Sequence, residues 1–117
     1  MKDFRNLKVW EKAHQLTLKI YKITEGFPCE ELYGLTSQIR RAGVSIPTNI
    51  AEGCVRSSDA DFSRFLYISL GSTSELEYLI LLSMDLKLVK SEILIELNNE
   101  INEIKKMLIS MIQKLKA

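Results

Sequence analysis

The chain has 117 residues, enough for one hydrophobic core without disulfide or metal staples. Its 46% hydrophobic and 26% charged residues exclude an intrinsically disordered chain, and a net charge of +1 excludes a strong global field for nucleic acid or a membrane surface. Any basic surface therefore has to come from patterning.

Residues 1–5 carry no apolar signal-peptide core. Cys29 and Cys54 fall in separate connections with no C-x-x-C and no neighbouring histidine, so they read as free thiols of a cytoplasmic protein. Val9, Ala13, Leu16, Ile20 and Ile23 recur at steps of four and three and predict a first helix over 7–25, ended by Phe27-Pro28. Its apolar arc, which also takes in Trp10, Thr17, Leu18 and Tyr21, spans roughly 220°, whereas a helix facing one core needs little more than about 100°. Trp10, Leu18 and Tyr21 are thus surplus to an internal core and are expected at a subunit interface, unless Phe4 and Phe27 cover them.

On the opposite side Lys8, Lys12, Gln15, Lys19 and Lys22 fall within a sector of about 80° and run about 21 Å along the axis. Such a row can track a phosphate backbone, or can be no more than a solvated face. His14, the only histidine, has no metal-ligating residue at i+3 or i+4 and reads as a packing or interface residue.

Leu35, Ile39, Ala42, Ile46 and Ile50 predict a second helix over 35–51 or 35–53, with Gly53 as its terminator. Pro47 inside it removes a backbone donor at a cost of about 3 kcal/mol, and Ser45 and Asn49 are placed to bond the freed carbonyls. Arg40 and Arg41 project off the apolar stripe about 100° apart, so they cannot form one bidentate clamp. Projection sets Arg41 on the polar Gln38/Ser45/Glu52 side, where a buried carboxylate is expected to hold it; Arg40 is expected at the surface. Glu52, Glu75 and Glu77 are the candidate acids.

Ser58 with Asp61 resembles a capping box and opens a third helix reaching about residue 86. Its side chains are apolar nearly all round, with Tyr67, Tyr78 and Leu81 opposite Phe62, Phe65, Leu76 and Ile80. Glu75, Glu77 and Gly71-Ser-Thr-Ser74 argue against a membrane span, so a partner subunit is expected against this helix. Gly71 reads as a close helix contact. Ser91 is expected to cap a fourth helix with the heptad seam Leu94, Leu97, Ile101, Ile104, Leu108, Met111 and Leu115. No segment alternates with a period of two. The fold class is all-α, a single antiparallel up-down-up-down four-helix bundle over 1–117.

No Ser/His/acid set, phosphate-binding glycine loop or H-E-x-x-H is present. A hydrolase or nuclease would have only Ser45, Asn49, Glu52, Glu75 and Glu77 to work with. We expect no catalytic residue, cofactor, metal or small-molecule substrate.

The segments Phe4-Arg-Asn-Leu-Lys-Val-Trp10, Phe27-Pro28, Gln38, Arg40-Arg-Ala42, Ser45-Ile46, Asn49-Ile-Ala-Glu-Gly53, Asp61-Phe62, Gly71-Ser72 and Glu75-Leu-Glu77 together resemble the proteins encoded in intervening sequences of bacterial 23S ribosomal RNA genes. The resemblance implies an antiparallel four-helix bundle assembled into a ring-like homopentamer, without an established activity. Related accessory proteins of diversity-generating retroelements share that architecture and bind nucleic acid and a reverse transcriptase through a basic surface; this chain differs from them in being nearly neutral. The expectations are a homopentameric, non-enzymatic scaffold, with Lys8, Lys12, Lys19, Lys22, Arg40 and Arg41 as candidate contacts to RNA or a nucleoprotein, or else a scaffold for protein partners alone. Trp10, Leu18, Tyr21, Tyr67, Tyr78 and Leu81 are the candidate subunit interface.

Overall fold

The computed structural model describes residues 2–116. Four helices, α1 (Lys8–Thr24), α2 (Leu35–Cys54), α3 (Asp59–Asp85) and α4 (Ser91–Lys116), are joined by short connections, with single 3-10 turns at Phe4–Asn6 and Cys29–Glu31. No strand occurs among the described residues. Contacts fix the directions. Thr17 meets Gly43 while Thr24 meets Arg40, Ser45 meets Ser72 while Gly53 meets Phe62, and Lys12 meets Glu103 while Lys19 meets Glu96. Every neighbouring pair is therefore antiparallel. Helices touch in the cyclic order α1, α2, α3, α4, so the α1–α2 face lies opposite the α3–α4 face.

The core draws on all four helices: Leu16 and Ile20, Ile39, Ile46 and Ile50, Leu66, Leu76 and Ile80, and Leu97, Ile101, Ile104 and Leu108 are fully buried. Each contributes about 1.5–3 kcal/mol by leaving water. Along α4 the buried seam follows the heptad to Leu108, then passes to Ile112 while Met111 becomes half-buried. A nearly straight α-helix drifts about 20° per heptad, and the shift by one residue is that drift.

Pro47 lies inside α2 without ending it. A proline at this position cannot bond the carbonyl four residues back, that of Gly43. The carbonyl is met from outside the helix: the Thr17 hydroxyl of α1 lies 3.0 Å from it, sharing its proton with the Ala13 carbonyl at 2.8 Å. Asn49 Nδ2 instead donates to the Ser45 carbonyl and hydroxyl, one turn further on, so the expected role of Ser45 and Asn49 falls to Thr17.

Two expected helix signals act differently. Gly53 is not a left-handed terminator, since α2 continues through Cys54 and no glycine has positive φ. A Cβ there would stand 2.8 Å from the Phe62 ring and 3.0 Å from Phe65 Cβ, so Gly53 lets α3 approach α2. Gly71, expected at a close contact, faces open space. Ser58 caps α3 as expected, its hydroxyl accepting from Asp61 N–H at 3.1 Å. Ser91 is itself the first residue of α4, and its hydroxyl donates to Glu92. Lys87 ends α3 at φ 65°, in a turn closed by Leu88 N–H on the Ser83 carbonyl at 2.8 Å.

Candidate interaction surfaces

The lysine row of α1 faces α4. Lys12 Nζ lies 2.7 Å from Glu103, and Lys19 Nζ lies 3.0 Å from Glu96 and 2.8 Å from Glu100. Hydrogen bonds that Lys19 donates to Glu100 and then to Glu96 hold its ammonium above its usual pKa, and the hydrogen bond from Lys12 holds the Glu103 carboxyl below its own. Beside these pairs a cavity of about 250 Å³ is lined by Glu11, Lys12, Gln15, Glu100, Glu103 and Ile104. Two of the four candidate lysines thus spend their charge on the seam between α1 and α4. Lys8 and Lys22 are exposed and have no carboxylate within 4 Å among the described residues. The acids responsible were legible: Glu96, Glu100 and Glu103 repeat at four and three, the same spacing as the lysines.

The two arginines exchange the roles expected from projection. Arg41 is exposed and meets no carboxylate within 4 Å among the described residues. Arg40 is the anchored one. Its Nε donates to Thr24 Oγ1 at 2.8 Å, its Nη2 approaches the Tyr21 carbonyl at 3.4 Å, and its guanidinium stacks 4.7 Å above the Tyr21 ring. Projection failed because Arg40 points toward α1, whose last turn offers a carbonyl and a hydroxyl in place of an acid. Both side chains nonetheless line one groove of about 470 Å³ with Tyr21, Leu32, Tyr33 and Ser37.

The acids on α3 part company. Glu77 pairs with Lys105 of α4, while Glu75 is exposed and unpaired among the described residues. Ser45, Asn49 and Ser72 form a local hydrogen-bonded set between α2 and α3, with Ser45 and Ser72 hydroxyls 2.7 Å apart. The residues a hydrolase would need are thereby dispersed over two flanks of α3.

Apolar surface remains on opposite faces. On the α3–α4 face Tyr67, Tyr78 and Leu81 are exposed, with Lys116 of α4 over the Tyr67 ring. On the α1–α2 face a groove of about 440 Å³ is lined by Trp10, Val44, Pro47 and Ala51 together with His14, Thr17, Thr48 and Glu52. Leu18 is half exposed. Trp10 is only half-buried, although Phe4 packs edge-on against it at 4.8 Å and His14 stacks on it at 5.0 Å. Phe4 therefore covers part of the surplus ring, while Arg40 lies over the Tyr21 ring and Leu18 stays half exposed.

Residues 5–110 match the family model described as 23S rRNA-intervening sequence protein. The chain belongs to this family. It is also similar to a solved protein of unknown function from the S23 ribosomal protein family of Bacteroides thetaiotaomicron VPI-5482, at 32% identity and a TM-score of 0.84 over 90% of this chain and 95% of that one. No curated protein matches it. Among the described residues of this intervening-sequence protein, no helix is long and apolar enough to cross a membrane. Among the described residues no cluster of three or more histidine, cysteine or acidic side chains is arranged to hold a metal.

Proposed function

We propose that this intervening-sequence protein is a non-catalytic ring scaffold built from copies of itself, each presenting RNA contacts at its rim. The observation that carries the ring is the placement of two unlike apolar patches on opposite faces of the bundle: the protruding Tyr67/Tyr78/Leu81 stripe and the Trp10–Ala51 groove. Unlike patches on opposite faces favour a heterologous contact, stripe into groove, which closes into a ring when the rotation permits. A self-complementary dimer would need one patch to meet itself. The number five rests on the family resemblance.

A mixing experiment tests the contact. Leu81→Glu breaks the stripe and Val44→Glu breaks the groove, so each variant alone should run as a folded monomer. Mixed, they retain one intact stripe and one intact groove and should yield a dimer and nothing larger. Large oligomers from either variant alone would refute the assignment.

RNA is the proposed cargo through the candidate cations that have no carboxylate within 4 Å among the described residues: Arg40 and Arg41 on α2, and Lys8 and Lys22 toward the two ends of α1. The pairing of Lys12 and Lys19 with α4 acids favours the competing reading, a scaffold for protein partners alone. Titration of RNA across a range of salt separates the two. Each phosphate neutralised on a single strand contributes a log–log slope of about −0.7, whereas absence of binding at low salt supports the protein-only scaffold.

A further inference from the structure

We infer that the groove enclosed by the last turn of α1, the connection over 25–34 and the first half of α2 binds one nucleotide unit, with its phosphate on Arg40 and Arg41 and its base against Tyr33. The inference deepens the RNA reading above and rests on it, and it does not depend on the ring. The groove, about 470 Å³, falls within the size range of small-ligand sites. Its lining contains two guanidinium groups and no carboxylate. The connection itself carries Glu25, Glu30 and Glu31, and Glu25 lines a neighbouring cavity with Arg40, yet neither guanidinium has a carboxylate within 4 Å among the described residues.

Arg40 is oriented in advance. Thr24 Oγ1 holds its Nε, the Tyr21 carbonyl lies near Nη2 and the Tyr21 ring lies beneath, so no rotamer freedom has to be lost when an anion arrives. Thr24 is fixed in turn, since its hydroxyl donates to the Ile20 carbonyl at 2.8 Å. Arg41, exposed and without a hydrogen-bond or carboxylate partner among the described residues, supplies the second charge. Tyr33 is 95% exposed on the lining of the same groove. An aromatic ring held in water beside arginines is the pairing that stacks an unpaired base while its phosphate is neutralised. A duplex hides its base faces in the helical stack, so the arrangement selects single strands or free nucleotides over duplexes.

Fluorescence anisotropy with a labelled eight-nucleotide single-stranded RNA, a duplex of the same length, and AMP as competitor tests the site. Arg41→Ala is expected to weaken single-strand binding by about tenfold and to reduce the salt slope by about 0.7. Tyr33→Ala weakens it while Tyr33→Phe, which keeps the ring, restores it, and the duplex binds more weakly than the single strand. Displacement by AMP supports the site and assigns it to free nucleotides as well. Arg41-dependent RNA binding that AMP does not displace supports it as a strand site. No binding of either RNA or AMP, single-strand binding indifferent to Arg41→Ala and Tyr33→Ala, or equal affinity for duplex would overturn it. Loss of the site in this assay leaves the ring untouched, and a monomeric protein that still binds the single strand leaves the site standing.

Discussion

The Thr17 hydroxyl lies 3.0 Å from the Gly43 carbonyl, the one acceptor in α2 that Pro47 leaves without its helical donor. A proline in mid-helix thus becomes an interhelical tie between α1 and α2. Thr17→Val should destabilise the bundle by about 1–3 kcal/mol, because a buried carbonyl loses its partner. Pro47→Ala returns a backbone N–H to Gly43, so Thr17→Val should cost less in that background. A double-mutant cycle by chemical denaturation measures the difference, and additive effects would mean that the two residues are not coupled.

Arg40 and Arg41 should differ in stability. Arg40→Ala removes a hydrogen bond to Thr24, a longer one to the Tyr21 carbonyl and the stacking on Tyr21, and is expected to cost about 1–2 kcal/mol. Arg41→Ala, at an exposed position with no carboxylate within 4 Å among the described residues, should stay within about 0.5 kcal/mol. Thermal melts of the two variants check this ordering.

Much of the bundle was legible in the sequence. The period of apolar residues located all four helices, and the Ser58–Asp61 cap was correct to the residue. What periodicity cannot supply is the chemistry of the facing helix. The lysine row looked free because a one-helix projection holds no information about Glu96, Glu100 and Glu103 on α4. The same blindness reversed Arg40 and Arg41, since the groups that hold Arg40 are the Thr24 hydroxyl and the Tyr21 carbonyl at the end of α1, which a projection of α2 alone does not show. Glycines misled for a related reason: Gly53 and Gly71 are alike on paper and differ only in whether another helix stands beside them.

That contrast is itself testable. Gly53→Ala would force a methyl against the Phe62 ring and Phe65 Cβ, with an expected loss of about 1–3 kcal/mol from overpacking. Gly71→Ala meets open space and should gain up to about 1 kcal/mol from helix propensity. Opposite shifts in melting temperature are expected.

The α1–α4 seam should respond to pH at both ends. Lys12 depresses the Glu103 pKa, so that pair's contribution is full above the ordinary carboxylate range and is lost as pH falls through the depressed value. Glu100 and Glu96 raise the Lys19 pKa, so its contribution is present below the ordinary lysine range and is lost as pH rises through the raised value. The stability gap between wild type and Lys12→Met should therefore shrink between neutral pH and about pH 3. The gap for Lys19→Met should shrink in strong alkali. A gap for Lys12→Met that is the same at both pH values would remove the ion pair from the seam.

The central claim is that unlike apolar patches on opposite faces join copies of this chain into a closed ring. Multi-angle light scattering on the purified protein at micromolar concentration tests it most directly. The account predicts one homogeneous species at five times the 13.4 kDa chain mass. A mass of one chain would leave the Tyr67/Tyr78/Leu81 stripe and the Trp10–Ala51 groove without the partner argued for them, and a mass of two chains would contradict the heterologous contact.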